Sequence, residues 1–218
     1  PWGLYEPTFL PLSWGASFDD LDLDGDQDLF IANGHIYPQA DEAPPDARTS
    51  YAQTNLLLAR EEGRFVDVSS SSGQGLAVRA SSRGLSVGDL DGDGDLDLVV
   101  SNCDEPPHVL RNQSSRQGRW LIVDAPAAVR VELALGERRV VRHKVVGGSF
   151  VSAHDRRHHF GLGDVERVDR VSVLWPDGSR SALEDVPVDH VLRLTRTGSA
   201  RRDGGEPRRP EPGSSAPQ

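Results

Sequence analysis

Two stretches crowded with aspartate constrain this sequence more than any other feature. Residues 20–28 read Asp-Leu-Asp-Leu-Asp-Gly-Asp-Gln-Asp and residues 89–97 read Asp-Leu-Asp-Gly-Asp-Gly-Asp-Leu-Asp, so both match D-x-D-x-D-G-x-x-D. Carboxylates packed this closely repel one another unless a cation lies among them. A hard divalent ion takes several oxygen ligands at roughly 2.3–2.6 Å, which alternate positions of a tight loop can supply. Each stretch therefore predicts a calcium site, with a solvated acidic turn as the alternative.

Position in the loop assigns a role to each aspartate. The predicted side-chain ligands are the first, third, fifth and ninth residues of each loop: Asp20, Asp22, Asp24 and Asp28, and Asp89, Asp91, Asp93 and Asp97. The seventh residue of such a loop usually binds the metal through its backbone carbonyl. Asp26 and Asp95 are therefore predicted to contribute a carbonyl oxygen to two Ca²⁺ sites and to turn their side chains towards solvent. Gly25 and Gly94 mark the sharp turns.

The residues after each loop argue against a helical EF-hand, in which a bidentate Glu occupies loop position twelve. That position holds Ile31 in the first copy and Val100 in the second. The surrounding apolar runs are rich in β-forming residues, which predicts that each loop is a turn between β-strands. The copies lie 69 residues apart, from Asp20 to Asp89. A repeat of that order is typical of a β array such as the blades of a propeller.

The two loops resemble the FG-GAP/VCBS repeats of integrin-alpha-type β-propellers, whose blades carry calcium loops of this pattern. Further motifs are similar to the secreted cartilage acidic protein family, which ends in a domain called ASPIC/UnbV. These motifs are Trp14-Gly15, Asn33-Gly-His35, Tyr51-Ala-Gln53, Asn55-Leu-Leu57, Phe65–Val68, Ser82-Arg-Gly84, Gly147–Phe150, His159–Gly163 and Val173–Gly178. The resemblance implies an all-β chain, with partial integrin-alpha-like propeller blades followed by a small antiparallel β domain and a disordered tail.

Charge and the distribution of apolar residues divide the chain into three predicted parts. Residues 1–118, the incomplete calcium-binding blades, carry 20 acidic and 7 basic side chains, whereas residues 119–196, the ASPIC/UnbV-like domain, carry 11 and 13. Residues 197–218 have no apolar side chain larger than Ala or Pro, which predicts a disordered tail. The acidic front half argues against nucleic acid as a partner, because affinity there depends on neutralising phosphates.

The start of the sequence also bears on its organisation. The chain begins at Pro1, contains no Met, and shows at most two blades, whereas a propeller needs about 4–8 blades to close. We therefore expect it to be the C-terminal part of a longer protein.

Strand patterns follow the same division. In the front half, hairpins are predicted over residues 16–33, 55–68 and 85–101. From Arg119 the apolar residues alternate or run together, which predicts strands over residues 120–123, 129–135, 139–143, 168–174 and 190–195. Trp120 and Trp175 fall in these strands and are predicted core residues.

Other clusters give weaker indications. Imidazoles and a carboxylate between His154 and His159 have the chemistry of a transition-metal site, but His158 and His159 are adjacent and would point to opposite faces of a strand. The alternative is a surface loop with His159 packed. Trp2 and Trp14 are candidates for a carbohydrate-binding face, with packing between blades as the alternative. The sequence has no G-x-S-x-G or comparable context for a catalytic triad.

Two functions remain after these exclusions. The first is a calcium-binding, non-catalytic interaction or adhesion module of the cell envelope or extracellular space, with a protein or glycan partner at the cell surface and no membrane span in this fragment. The alternative is the C-terminal scaffold of a secreted, calcium-stabilised hydrolase or lyase, whose catalytic residues would precede Pro1. Because every clustered aspartate precedes residue 98, we also expect calcium to matter for the front half and not for the back half.

Overall fold

Short β-strands dominate the computed structural model, which describes residues 2–44, 47–114, 118–145, 147–197 and 200–203. The all-β prediction is confirmed. Before residue 111 the strands are β1 (Ser13–Asp19), β2 (Asp28–Asn33), β3 (Gln53–Thr54), β4 (Leu56–Glu61), β5 (Arg64–Asp67), β6 (Arg79–Ala80), β7 (Ser82–Gly88), β8 (Asp97–Asn102) and β9 (His108–Leu110). Short helical turns accompany them: α1 (Tyr5–Thr8), a 3-10 turn (Pro38–Glu42) and α2 (Gln74–Ala77). None of the helices in the described ranges is long and apolar enough to cross a membrane.

The back half adds ten further strands to the described residues. They are β10 (Arg119–Asp124), β11 (Arg130–Leu135), β12 (Arg138–His143), β13 (Gly148–Ser149), β14 (Ser152–Ala153), β15 (His158–Gly163), β16 (Arg167–Leu174), β17 (Arg180–Pro187), β18 (His190–Leu194) and β19 (Ala200–Asp203). The predicted strands are present to within two residues at each end. Strands β15 and β17 were not predicted, because charged and glycine residues interrupt their apolar patterns.

The sequence repeat is also a structural repeat. Both Asp-rich stretches are the turns of antiparallel hairpins, β1–β2 and β7–β8, and a β-bulge interrupts each hairpin after its first residue pair. Each pair of facing residues in the first hairpin has its counterpart 69 residues later in the second hairpin. The same hydrogen bond closes the far end of both hairpins, from Ser13 Oγ to Asn33 Oδ1 and from Ser82 Oγ to Asn102 Oδ1, each 2.9 Å long.

Each hairpin belongs to a separate sheet. The first sheet has the strand order β1-β2-β4-β5 and the second has the order β7-β8-β9. All six residues of β2 are buried, and their side chains alternate between two apolar clusters. Phe30 and Ala32 face the second sheet, whereas Leu29 and Ile31 pack with Leu58 on the other side. Burial on both faces explains why the loop is followed by a continuous apolar run.

Two four-stranded sheets enclose the core of the back half. Their orders are β12-β11-β16-β17 and β15-β10-β18-β19, and fifteen buried residues from Leu121 to Leu194 fill the space between them. Trp175 is in this core, as predicted. Pairing is antiparallel except between β10 and β18, which run parallel. The predicted small antiparallel β domain is confirmed, and β10 and β18 can run parallel because they are distant in the chain and are not joined by a hairpin.

The tail differs from the prediction at four residues. Ala200–Asp203 form β19, which pairs antiparallel with β18. A strand added to an open sheet edge is held by backbone hydrogen bonds, so it does not need the apolar side chains whose absence predicted disorder. Residues 198, 199 and 204–218 of the predicted tail lie outside the described residues.

Candidate calcium centres

Three predicted ligands converge in each Asp-rich loop. In the first loop, carboxylate oxygens of Asp20, Asp22 and Asp28 all lie within 4.8 Å of one another. The corresponding group in the second loop is Asp89, Asp91 and Asp97, within the same limit. The first and ninth residues of each loop are buried, because the hairpin strands begin and end there. Each loop thus presents a ring of oxygens of the kind that a hard cation binds.

The fifth residue of each loop, Asp24 or Asp93, lies outside these three-carboxylate groups. Each instead accepts a hydrogen bond from the backbone two residues later. Asp24 Oδ1 accepts from Asp26 N at 2.7 Å, and Asp93 Oδ1 accepts from Asp95 N at 3.0 Å. These bonds give both loops the same local turn, because a short acidic side chain can accept a hydrogen bond from the backbone N–H two residues later.

The seventh residues differ between the loops. Asp26 is exposed, as predicted. The prediction of a solvent-facing side chain is wrong for Asp95, which is only 4% exposed. The reason is tertiary: the ring of Trp120 packs directly against Gly94, so the C-terminal domain covers this part of the second loop.

The ninth residue ties each loop to the next strand of its sheet. Asp28 accepts backbone N–H bonds from Leu21 and from Arg60 of β4, both 3.0 Å long. Asp97 accepts the equivalent bonds from Leu90, at 3.0 Å, and from Asn112, at 2.8 Å. Sequence reasoning assigned these aspartates to the metal alone. The structure adds a second role, in which they close the loop and fix it to the sheet.

Buried oxygens without a hydrogen-bond partner lie at the centre of both loops. Asp20 Oδ1 and Asp89 Oδ2 are shielded from solvent, and neither has a partner within the described part of the chain. Leaving a buried carboxylate oxygen unpaired is costly, whereas a bound cation would satisfy it. The donor set is entirely oxygen, so the residues present fit Ca²⁺.

The pKa values reflect the same crowding. Burial, followed by the charge of Asp24, raises the pKa of Asp20 to about 7. Burial likewise raises the pKa of Asp28 to about 6, and it also raises the pKa values of Asp22 and Asp89. Without a cation these groups hold protons more strongly than an exposed aspartate does, because their charged forms are both desolvated and close together.

Asp91 departs from this pattern because an arginine contacts it. Arg111 Nε donates to Asp91 Oδ2 at 2.6 Å, and a second guanidinium nitrogen forms an ion pair with the same oxygen. Burial opposes the change, but the hydrogen bond and charge of Arg111 lower the pKa of Asp91. In the first sheet Leu29 pairs with Leu58, and in the second sheet its counterpart Leu98 pairs with Leu110. The residue that follows Leu58 is Ala59, so Ala59 corresponds to Arg111 of the second repeat. The first loop therefore lacks this internal cation.

Backbone conformation is shared by the two loops. The turn glycines Gly25 and Gly94 both have φ of 96°, a left-handed conformation that glycine adopts at no steric cost. The fourth loop residue is also left-handed, with φ of 67° at Leu23 and 78° at Gly92. A leucine is unfavourable there, but Leu23 is only 1% exposed and packs against Trp120 and Ile122 of β10.

The C-terminal domain contacts both loops directly. Backbone carbonyl oxygens of the loops accept hydrogen bonds from it as follows: Leu23 O from Gly163 N (2.9 Å), Gly25 O from Arg138 Nη2 (2.6 Å), Asp89 O from Arg157 Nη2 (2.9 Å) and Gly94 O from His159 Nε2 (2.8 Å). Asp20 lies so close to Gly161 that no Cβ fits there. The back half is therefore in direct contact with both loops, while the expectation that calcium matters only for the front half stays a prediction.

These contacts also place the other predicted residues. His159 packs against the second loop, as the alternative to a metal site predicted, while His158 is buried on the opposite side of β15. Trp14 packs against Phe150, with ring centroids 5.0 Å apart, which agrees with a packing role. Trp120 is buried, as predicted, but in the contact with the first loop. No local pattern in the sequence indicated the loop-facing residues of β15.

Comparison with known proteins agrees with this architecture. Residues 20–100 match the model of the FG-GAP-like repeat, and residues 126–201 match the model of ASPIC and UnbV. The chain is 30% identical to cartilage acidic protein 1 of Mus musculus over 188 residues, which is 79% of this chain and 27% of the relative. It is 30% identical to the Homo sapiens protein over 169 residues, 72% of this chain and 24% of the relative.

The chain thus spans about a quarter of the length of the curated relatives that it matches. The FG-GAP-like match contains both Asp-rich loops, and the ASPIC and UnbV match contains β11–β18. This chain therefore belongs to the proteins that join FG-GAP-like repeats to an ASPIC and UnbV region, and it is similar to cartilage acidic protein 1.

Proposed function

We propose that this chain is a calcium-binding, non-catalytic interaction module of the extracellular space or cell envelope. The observation that carries the proposal is the pair of buried, partnerless oxygens, Asp20 Oδ1 and Asp89 Oδ2, each within a group of three converging aspartates. The burial of these oxygens distinguishes the loops from solvated acidic turns, in which water would pair them.

Calcium suits these loops better than magnesium does. Mg²⁺ demands near-ideal octahedral geometry and gives up water reluctantly, whereas Ca²⁺ accepts six to eight oxygens in irregular arrangements. The loops offer three close carboxylates on a flexible turn, together with further carboxylates and carbonyls nearby. We therefore propose one Ca²⁺ in each loop and a preference for it over Mg²⁺.

The proposed location and partners are supported by the similarity to cartilage acidic protein 1, whose name refers to cartilage. A protein or glycan at the cell surface is the partner class that we propose. In this role the bound ions hold the two hairpins rigid, and the sheet surfaces outside the loops make the contact.

Calorimetric titration of the 218-residue chain with Ca²⁺ and separately with Mg²⁺ tests the proposal. We expect about two calcium sites and weaker binding of Mg²⁺. Asp20→Asn and Asp89→Asn should each remove or weaken one site. Glu105→Gln, at an exposed acidic residue outside both loops, is the matched control and should retain both. An absence of calcium binding, or equal affinities for the two ions, would falsify the proposal.

A further inference from the structure

A cleft of about 410 Å³ lies between the first half of the chain and the C-terminal domain. Its walls come from β1 and β7 on one side and from β12, β15 and the segment before β15 on the other. The volume is within the range of about 300–1,000 Å³ that small-molecule sites occupy, and such sites often lie where two domains meet. The cleft borders the second loop, whose Asp89 contributes to its wall.

The charge of this cleft is opposite to that of the chain. Four cationic side chains line it, Arg142, Lys144, Arg156 and Arg157, against three carboxylates, Asp19, Asp89 and Asp155. The chain as a whole has a net charge of −10. A local excess of positive charge on an acidic protein attracts anions to this position rather than to the rest of the surface.

One of the three carboxylates in the cleft is paired with a cation, and a second accepts a hydrogen bond from a hydroxyl group. Asp155 forms an ion pair with Arg157 at 2.5 Å, and Asp19 Oδ2 accepts a hydrogen bond from Ser17 Oγ at 2.5 Å. In contrast, Arg142, Lys144 and Arg156 form no direct ion pair with any described residue. Three cations then stand against two carboxylates, Asp19 and Asp89, so the charge that remains in the cleft has a positive excess.

A buried imidazole adds a specific polar group to this wall. His158 lines the cleft and is 6% exposed, and its Nε2 has no hydrogen-bond partner among the described residues. Burial first, and then the charges of Lys144 and Arg142, lower the pKa of His158. A buried ring nitrogen without a partner is uncommon, and an acceptor from a ligand would satisfy it when it carries a proton.

Apolar side chains form the remainder of the cleft. Val145 is 65% exposed, and Val141 and Ile122 line the same space. An inorganic anion would leave this apolar wall in water, whereas an organic anion with an apolar body would cover it. Burial of apolar surface contributes about 25 cal/mol per Å², so the wall favours the organic ligand.

We propose that this cleft binds a small organic anion, with its carboxylate or sulfonate group beside His158, Lys144 and Arg156 and its apolar body against Val141 and Val145. Nuclear magnetic resonance of the histidine ring nitrogens in the full chain provides the test. Benzoate and benzenesulfonate serve as the anionic probes, and benzyl alcohol is the neutral control.

Both anions should shift the His158 signals in a saturable manner, while benzyl alcohol should leave them unchanged. Arg156→Gln, at an exposed residue, should weaken binding about tenfold, which corresponds to the loss of one charge-assisted hydrogen bond. Arg180→Gln removes the same charge from exposed β17 outside the cleft and should change the affinity less than about twofold.

Three results would overturn the proposal. One is that neither anion produces saturable shifts of the His158 signals, and another is that benzyl alcohol produces equal shifts. The third is equal weakening by Arg156→Gln and Arg180→Gln, which would mean general attraction to charge rather than a site. If only one anion binds, the proposal holds and the class of anionic group is identified.

Discussion

Leu23 gives the sharpest test of how the first loop and the C-terminal domain depend on each other. It is 1% exposed and packs with Trp120, Ile122 and Val191, which all belong to that domain. Replacing a buried leucine with alanine typically costs about 2–5 kcal/mol of the free energy of unfolding, since apolar burial is lost and a cavity remains. We expect Leu23→Ala to fall in this range, even though it changes no carboxylate.

The backbone at this position makes a second variant informative. Leu23 has φ of 67°, and the left-handed conformation costs a non-glycine residue roughly 1–2 kcal/mol. Leu23→Ala retains this strain, whereas Leu23→Gly relieves it. Leu23→Gly should therefore be at least as stable as Leu23→Ala, the reverse of the usual order. The second repeat has Gly92 at this position.

Urea unfolding in saturating calcium, followed by tryptophan fluorescence, measures these differences because Trp120 lies at the contact. Leu90→Ala is the matched control: this leucine is also in an Asp-rich loop but is 57% exposed, so its loss should cost under about 0.5 kcal/mol. The reasoning is refuted if Leu23→Ala is as mild as Leu90→Ala. It is also refuted in part if Leu23→Gly is clearly less stable than Leu23→Ala, since the strain argument would then fail.

Three further predictions concern the same loops. Arg111→Ala should raise the calcium affinity of the second loop roughly two- to fivefold in calorimetry, because an exposed ion pair worth about 0.2–1 kcal/mol no longer competes for Asp91. Gly161→Ala should weaken calcium binding at the first loop and lower the free energy of unfolding by about 1–3 kcal/mol, because its new methyl group displaces Asp20. Burial, despite the hydrogen bond to Gly94, lowers the pKa of His159 from 6.5 to about 4. As the pH falls through the window between these two pKa values, the unfolded chain binds a proton that the folded chain does not, so the free energy of unfolding should fall. Urea titrations at each pH measure this loss, and His159→Gln should remove this part of the pH dependence.

Each of these variants has a control and a contradicting result. Arg180→Ala is the control for Arg111→Ala, because it removes an exposed arginine from β17 rather than from a loop contact. If Arg180→Ala raised the calcium affinity of the second loop equally, the cause would be the change in net charge. Gly75→Ala meets only the end of the Leu110 side chain, so a loss of stability equal to that of Gly161→Ala would remove the case for contact with Asp20. If the difference between wild type and His159→Gln does not change between pH 6.5 and 4, another group carries the acid sensitivity.

The local features of this protein could be predicted from the sequence alone. The spacing of the aspartates, the turn glycines and the apolar runs after each loop all act within about ten residues. They therefore indicated the two hairpins, the 69-residue repeat and the groups containing Asp20 and Asp89. The strands of the back half were predictable for the same reason, since alternation of apolar residues reports which face of a strand is buried.

Only the tertiary structure decided how these parts act on one another. Three features join residues that are distant in sequence: the burial of Asp95, the contact of Arg111 with Asp91, and the packing of β15 against both loops. Hydrophobic periodicity records that a face is covered, but it does not record what covers it. The same limit explains the parallel pairing of β10 with β18 and the addition of β19, which depend on free backbone edges rather than on side-chain pattern.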